Sequence, residues 1–146
     1  MTKYSSFLPN DIAESTVIHL RLGDVIAGNE FHEKIKRPLT ITHLKSITPE
    51  YDNKYIIGKP FFAKQSSTNY DECIKKSNDY LHCAIKELNA THFDSGNADI
   101  DLCLAVNSKL FVQGRGFFSK LIVEIRKKMN RDNIETETET TPHTCL

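Results

Sequence analysis

Short apolar runs alternate along most of the chain with longer amphipathic stretches. The short runs are rich in β-branched and aromatic side chains, which is typical of buried strands. They are residues 16–22, 54–58, 91–93 and 110–113. The longer stretches place apolar residues at helical spacing. They are residues 38–47, 70–89, 99–107 and about 117–129. Helices that alternate with short strands predict an α/β domain with a mainly parallel sheet.

The first predicted strand carries polar groups at its carboxyl end. His19 and Arg21 are two residues apart, so a strand projects both from one face, and Gly23-Asp24 then signals a turn. Ligands of open α/β sheets bind at the carboxyl ends of strands, and the arginine fork suits phosphate oxygens. The pattern predicts a phosphate-binding Arg21 with a neighbouring histidine. An Arg21–Asp24 ion pair beside a hydrogen-bonded His19 explains the same pattern equally well.

A second candidate element is Gly114-Arg115-Gly116, between the last predicted strand and the last helix. Glycines let a backbone approach a ligand closely, and the helix that follows offers free N–H groups and the positive end of its dipole. The hydroxyl of Ser119 adds a further donor. This arrangement predicts a phosphate cradle, although an ordinary strand-to-helix turn has the same sequence.

Two blocks of sequence, the second made of two segments, resemble a known family. Residues 19–24, HLRLGD, resemble the H-x-R-x-G-D motif of the fucosyltransferase superfamily, which includes the α1,2-, α1,6- and protein O-fucosyltransferases. Residues 99–105, DIDLCLA, and 110–121, LFVQGRGFFSKL, are similar to the family's downstream block. The two blocks occur in the family's order. The resemblance covers residues 16–128 and only the donor-binding half of those enzymes.

The resemblance implies a fold and a reaction. The fold is a Rossmann-like three-layer domain with a short, mainly parallel sheet, as in the donor-binding half of a GT-B glycosyltransferase. The reaction is metal-independent, inverting transfer of fucose from the donor substrate GDP-fucose to a glycan hydroxyl, without a cofactor. In this interpretation Asp101 accepts hydrogen bonds from guanine, and His19 recognises the same nucleotide. Arg21 binds the β-phosphate and assists departure of the leaving group, which makes it the catalytic residue.

The donor-binding set implied by the resemblance is wider than these three side chains. It comprises His19, Arg21, Gly23, Asp24, Asp101, Gly114, Arg115, Gly116, Phe118 and Ser119. Phe118-Ser119 fall on the family's F-S pair, whose serine contacts the donor phosphates. The family has a small hydroxyl residue near positions 116–117, whereas this chain has Arg115 and Phe117.

Asp99-x-Asp101 also fits a different interpretation. A D-x-D pair holds a divalent metal and a nucleotide diphosphate in another glycosyltransferase architecture, where it ends a strand. Here the pair begins a predicted helix, where capping and the helix dipole favour carboxylates. We therefore predict no metal site, with capping as the task of Asp99.

Composition excludes several classes of protein. A chain of 146 residues with 39% apolar and 26% charged residues is typical of one globular domain. Nineteen basic and nineteen acidic residues balance, which argues against a nucleic-acid partner. No apolar run is long enough for a membrane span and residues 1–10 lack a signal pattern, so we expect a cytoplasmic protein. The four cysteines have no metal-like spacing and are expected to be free, three of them on buried helix faces.

The predicted domain spans residues 1–129, and residues 130–146 are expected to form a disordered acidic tail because they are polar and include the repeat ETETET. A GT-B active site lies between two domains, of which this domain resembles one. We therefore expect a separate acceptor-domain chain or a homo-oligomer to complete a glycan-acceptor site. The alternative is a non-catalytic module that binds a guanine nucleotide or nucleotide-sugar.

Overall fold

The computed structural model describes residues 2–23, 26, 38–61 and 70–136. Its strands are β1 (Thr16–His19), β2 (Leu22–Gly23), β3 (Lys54–Ile57), β4 (Pro60–Phe61), β5 (Thr91–His92), β6 (Leu110–Val112) and β7 (Asn133–Ile134). Its α-helices are α1 (Ile41–Ile47), α2 (Tyr70–Leu88), α3 (Ala98–Asn107) and α4 (Phe117–Lys128). Two 3-10 turns, Thr2–Phe7 and Ile12–Glu14, precede β1.

Five strands form one sheet in the order β5-β3-β1-β6-β7, and each of their pairings is parallel. After β1, the chain adds β3 next to it and then β5 at the edge of the sheet. It then returns to the other side of β1 for β6 and moves outward again to β7. The order of the sheet therefore reverses between β1 and β6. This is the doubly wound arrangement, and it confirms the α/β prediction.

Alternation along the strands divides the core into two halves. Ile18, Ile56 and Val112 lie in one apolar cluster with residues of α1 and α2. Val17 and Phe111 lie in another cluster with residues of α3 and α4. Because neighbouring strand residues point to opposite faces, short strands suffice to cover both sides of the sheet. Helices on both faces make the three layers that were predicted.

Helices α1 and α3 each begin at a residue whose side chain caps the helix. The hydroxyl oxygen of Thr40 accepts the His43 N–H at 3.1 Å at the start of α1. The side chain of Asn97 accepts the Asp99 N–H at 2.8 Å at the start of α3. The buried residues of α2 recur every three or four positions and form one stripe against the sheet: Cys73, Ser77, Leu81, Ala84 and Leu88.

The first predicted strand is interrupted at Leu20-Arg21. Its continuation, β2, pairs with β4 in a separate parallel ribbon. The ribbon begins where Gly58, at φ +150°, lies against the Leu20 backbone so closely that a Cβ would overlap the Leu20 carbonyl oxygen. The N–H of Gly23 donates to Ser77 Oγ at 2.9 Å, which fastens β2 to α2. Arg21 consequently lies at a bend between two strands rather than within one.

The predicted tail begins too early in the sequence. Residues 133–134 form β7 and pair with β6. Thr136 is 2% exposed, and its hydroxyl donates to the Gln113 carbonyl oxygen at 2.8 Å. The prediction of disorder is therefore wrong for residues 130–136, which are held by backbone pairing, by polar contacts and by the packing of Ile134 against the first apolar cluster. Residues 137–146 lie outside the described part.

The cysteine prediction is partly wrong. Cys73 and Cys103 are free and buried, as expected, but Cys83 is free and exposed on α2. Its position falls between the buried positions 81 and 84 of the helix stripe. Cys145 lies outside the described residues.

Candidate functional site

The carboxyl ends of β1 and β6 meet at the point where the strand order reverses. In open α/β sheets a crevice at this position is the usual ligand site, because the loops after the two strands diverge to opposite faces. We call the residues at this position the crevice: His19 at the end of β1, Arg21 after it, residues 114–116 after β6, and the first turn of α4. The elements of the fold thus bring together two segments about a hundred residues apart in sequence.

Gly114 fits directly against the end of β1. A Cβ at position 114 would lie 2.5 Å from His19 Nδ1 and closer still to the His19 carbonyl oxygen. Any side chain there would have to displace the backbone of β1, so close approach explains the glycine. The contact fixes the loop after β6 to the end of β1.

The imidazole of His19 is 7% exposed and lies beside the ring of Phe118, with centroids 5.6 Å apart and planes at 59°. Burial, together with the charge of Arg21, lowers the pKa of His19 to about 4, so the ring is neutral at pH 7. Its Nδ1 is buried and has no hydrogen-bond partner in the described structure. A buried polar atom without a partner is uncommon and calls for a physical explanation.

Arg21 lies beside the start of α4. Gly116 is the residue before the helix and has φ +96°, a conformation that glycine adopts without strain. A Cβ at Gly116 would lie 3.8 Å from Arg21 Cδ. A guanidinium stem and a helix amino terminus therefore border the same space, and both favour a bound anion.

Ser119 has a role that the sequence did not predict. The Ser119 side chain is fully buried. Its hydroxyl is placed to donate to the carbonyl oxygen of Gly114 at 3.0 Å and to that of Gly116 at 3.1 Å. The hydroxyl therefore stabilises the 114–116 loop by hydrogen bonding to its own backbone. The contact with donor phosphates expected for Ser119 stays a prediction.

Arg115 occupies the middle of the same loop. Its side chain is half-buried, and its Nε is a buried donor without a partner among the described residues. The flanking glycines contact His19 on one side and Arg21 on the other. The two neighbours of Arg115 in the loop thus lie next to His19 and Arg21, the polar residues of the first motif.

The remaining residues of the H-x-R-x-G-D motif are less informative. Gly23 is buried in β2 with φ +93°, and its N–H is already bonded to Ser77. Gly23 therefore sets the backbone conformation that follows Arg21. Asp24 lies outside the described residues, so the expected Arg21–Asp24 pair stays a prediction.

Asp101 lies at the same edge of the sheet, in the first turn of α3. It is 8% exposed, and its Oδ1 accepts a hydrogen bond from the Ser95 hydroxyl at 2.6 Å. Burial raises the pKa of Asp101, while the Ser95 hydrogen bond and the charge of Lys59 act in the opposite direction. Lys59 follows β3 and pairs with Asp94 at 2.8 Å.

The structure therefore groups Asp101 with residues that follow β3 and β5. The described contacts do not join this group to His19 or Arg21. Sequence reasoning missed Lys59, although its place directly after the second predicted strand could have suggested it.

The two carboxylates of the D-x-D pair have different surroundings. Asp99 is exposed and Asp101 is buried. Residues two apart on a helix do not face each other, so these two side chains do not converge on one ion. The cap of α3 is Asn97 rather than Asp99, which corrects the capping prediction. Within the described ranges, no three His, Cys, Asp or Glu side chains gather as a metal site would require.

Comparisons with family models and with curated proteins give no relative for this chain. No family model matches it, and no curated protein is significantly similar to it. In the part that the structure describes, no helix has both the length and the apolar character needed to cross a membrane.

Proposed function

We propose that the crevice binds the diphosphate of a nucleotide-sugar, and that the protein is a glycosyltransferase of the fucosyltransferase type. One observation carries the proposal. Gly114 packs against His19 at the reversal point of the sheet, which places Arg21 beside the amino terminus of α4. A cation and a helix end at a switch point both favour a bound phosphate group.

The proposed division of tasks follows from the surroundings of each residue. Arg21 would bind phosphate oxygens with its planar fork, and the first N–H groups of α4 would bind the same anion. His19 is neutral at pH 7 and adds no charge, so it suits hydrogen bonding to a nucleotide rather than charge pairing. Gly114, Gly116 and Ser119 would keep the loop in place.

In the proposed reaction, the oxygen of an acceptor hydroxyl attacks the anomeric carbon of the donor sugar. The bond between that carbon and the β-phosphate oxygen breaks, and GDP leaves with the electron pair. The hydroxyl proton passes to a base. Negative charge grows on the departing phosphate, where Arg21 and the α4 terminus stabilise it without a metal. Attack from the face opposite the leaving group inverts the anomeric carbon.

Guanine and fucose enter the proposal through the resemblance of residues 19–24 and 99–121. In that interpretation Asp101 accepts from the guanine base. Its burial supports a carboxylate that gains hydrogen bonds when a ligand arrives, because an ionised carboxylate in a buried position needs donors.

A second candidate function is nucleotide-sugar binding without transfer. The described residues form one α/β unit, and the acceptor site of a GT-B enzyme lies between two. An acceptor-binding unit on another chain or in a second copy would favour transfer. If there is no such unit, a binding module is the better interpretation.

Thermal shift with GDP, UDP and ADP tests the proposal. We expect GDP to raise the melting temperature most, and stabilisation of about 2.7 kcal/mol at a hundredfold excess over Kd. The shift should survive EDTA, since no cation is invoked. Equal shifts with all three nucleotides would exclude the fucosyltransferase interpretation. Release of GDP from GDP-fucose in the presence of glycans separates transfer from binding alone.

A further inference from the structure

Unpartnered polar atoms are concentrated in the crevice. Among the described residues, three buried side-chain nitrogen or oxygen atoms have no hydrogen-bond partner: His19 Nδ1, Thr48 Oγ1 and Arg115 Nε. Two of the three belong to the crevice. Burying a donor without a partner costs free energy, and the cost is greater when the group is charged.

Arg115 is the more informative of the two. It is a cation half-buried in the loop that precedes α4, and its neighbours Gly114 and Gly116 are held against His19 and Arg21. A ligand oxygen would supply the acceptor that Nε lacks. Arg115 lies between Gly114 and Gly116 in sequence, so the loop carries this cation directly before the start of α4.

We propose that Arg115 is the second phosphate-binding cation of the crevice, and that the site thereby selects a diphosphate over a single phosphate. The inference rests on the proposed function only in that the crevice receives a phosphorylated ligand. One arginine and a helix terminus suffice for a single phosphate group. A second arginine in the loop adds charge and directional donors for a second group.

Isothermal titration with inorganic pyrophosphate, inorganic phosphate, GDP and GMP tests this inference. The proteins are the wild type, Arg115→Gln, Arg115→Lys and Lys128→Gln. Lys128 is exposed at the far end of α4, so Lys128→Gln removes the same charge from the same helix. We expect the wild type to bind each diphosphate at least about tenfold more tightly than the matching monophosphate, as a further charged hydrogen bond allows.

Arg115→Gln should weaken binding of pyrophosphate and GDP by about tenfold or more, the scale of one lost charged hydrogen bond. Binding of phosphate and GMP should fall less than about threefold, since only screened charge is lost. Arg115→Lys should recover part of the lost affinity for pyrophosphate and GDP, because lysine keeps the charge but lacks the planar fork of donors. Lys128→Gln should behave as the wild type.

Equal losses for monophosphates and diphosphates, or no loss at all, would overturn the inference. If Arg115→Gln does not fold, the Nε–H resonance of Arg115 in the wild type takes its place. That resonance should move when pyrophosphate is added and move far less with phosphate. A resonance that is insensitive to pyrophosphate would also overturn the inference.

The outcomes separate the two proposals. Arg115-dependent preference for pyrophosphate, with GDP bound no better than UDP or ADP, supports the inference and rejects the fucosyltransferase proposal. GDP binding that is selective over UDP and ADP but unaffected by Arg115→Gln supports the fucosyltransferase proposal and rejects the inference about Arg115. A wild type that binds neither pyrophosphate nor GDP rejects both.

Discussion

Helix α4 has an arginine near each end, and the two have opposite surroundings. Arg126, in its last turn, is fully buried, and every nitrogen of its guanidinium has acceptors. Nη1 donates to the carbonyl oxygens of Ala105 at 2.7 Å and Ser108 at 2.9 Å. Nε donates to Asn133 Oδ1 at 2.8 Å, and Nη2 to the Asp132 carbonyl oxygen at 2.7 Å. Arg115, just before the helix, has a buried Nε with no partner among the described residues.

The difference separates an arginine whose donors the fold satisfies from one with an unsatisfied buried donor. Arg126 neutralises the negative end of α3, whose last carbonyl groups have no partners within that helix. It also joins α3 to the segment that leads into β7. Burial lowers its pKa to about 10, so it keeps its charge at pH 7. At the other end of α4, the buried Nε of Arg115 lacks such acceptors among the described residues.

The largest expected effect comes from Arg126. Arg126→Met should lower the free energy of unfolding by about 3–5 kcal/mol, because several buried carbonyl groups lose their donor. Urea unfolding followed by circular dichroism measures the change. Lys127→Met is the matched control, since Lys127 is the exposed neighbour. A stable Arg126→Met protein would show that the network at the end of α3 is dispensable.

The buried His19 predicts a pH dependence of stability. Its pKa is about 4 in the fold, below the ordinary value of 6.5, so the unfolded chain binds the proton more readily. The contribution of neutral His19 is therefore complete above pH 6.5 and is lost as the pH falls from 6.5 to 4. The loss approaches about 3 kcal/mol.

Urea unfolding between pH 4 and pH 8 checks this dependence. His19→Gln should flatten the slope, while His82→Gln, which alters an exposed histidine on α2, should leave it unchanged. Asp101 acts in the opposite sense, because its pKa is raised and its protonation favours the fold as the pH falls. A slope that persists in His19→Gln would assign the dependence to other groups.

Arg21 should behave unlike Arg126. Because Arg21 is only half-buried, Arg21→Ala should lower the free energy of unfolding by no more than about 1 kcal/mol. The binding of GDP to the Arg21→Ala variant should weaken by about 1.5–3 kcal/mol, the value of a lost charged hydrogen bond. Arg21→Lys should recover only part of that affinity, since it lacks the fork. Melting curves and titration with GDP measure both quantities.

A variant of Arg21 that melts far below the wild type yet binds GDP normally would make Arg21 a second structural arginine. The contrast between the crevice and the end of α3 would then disappear, together with the proposed role of Arg21 in catalysis.

Periodicity predicted the elements of the fold well, for a physical reason. The apolar positions of α2 contact one apolar cluster and the buried run of β1 contributes to both clusters, so these elements leave a regular pattern in sequence. The strand β7 leaves no such pattern. It has two half-buried residues, and its place depends on backbone pairing with β6 and on contacts with Arg126 and Gln113.

The site could be predicted only in outline. The sequence indicates that Gly114 and Gly116 serve the same loop, but it cannot distinguish close approach at Gly114 from positive φ at Gly116. Nor can it show that the Ser119 hydroxyl is bonded within its own loop. These distinctions depend on where β1 lies against β6, which is a long-range property of the chain.

The smallest expected effect concerns the end of the chain. A protein that stops after Thr136 should unfold within about 0.5 kcal/mol of the full chain, because residues 137–146 are polar and offer little apolar area. A protein that stops after Met129 removes β7, the Thr136 contacts with Gln113, and two acceptors of Arg126. It should lose about 1–3 kcal/mol, since buried donors of Arg126 are left unpaired. Urea unfolding of the two truncated proteins compares them directly. Equal stability would mean that residues 130–136 contribute nothing to the domain, and that Arg126 is stabilised by the end of α3 alone.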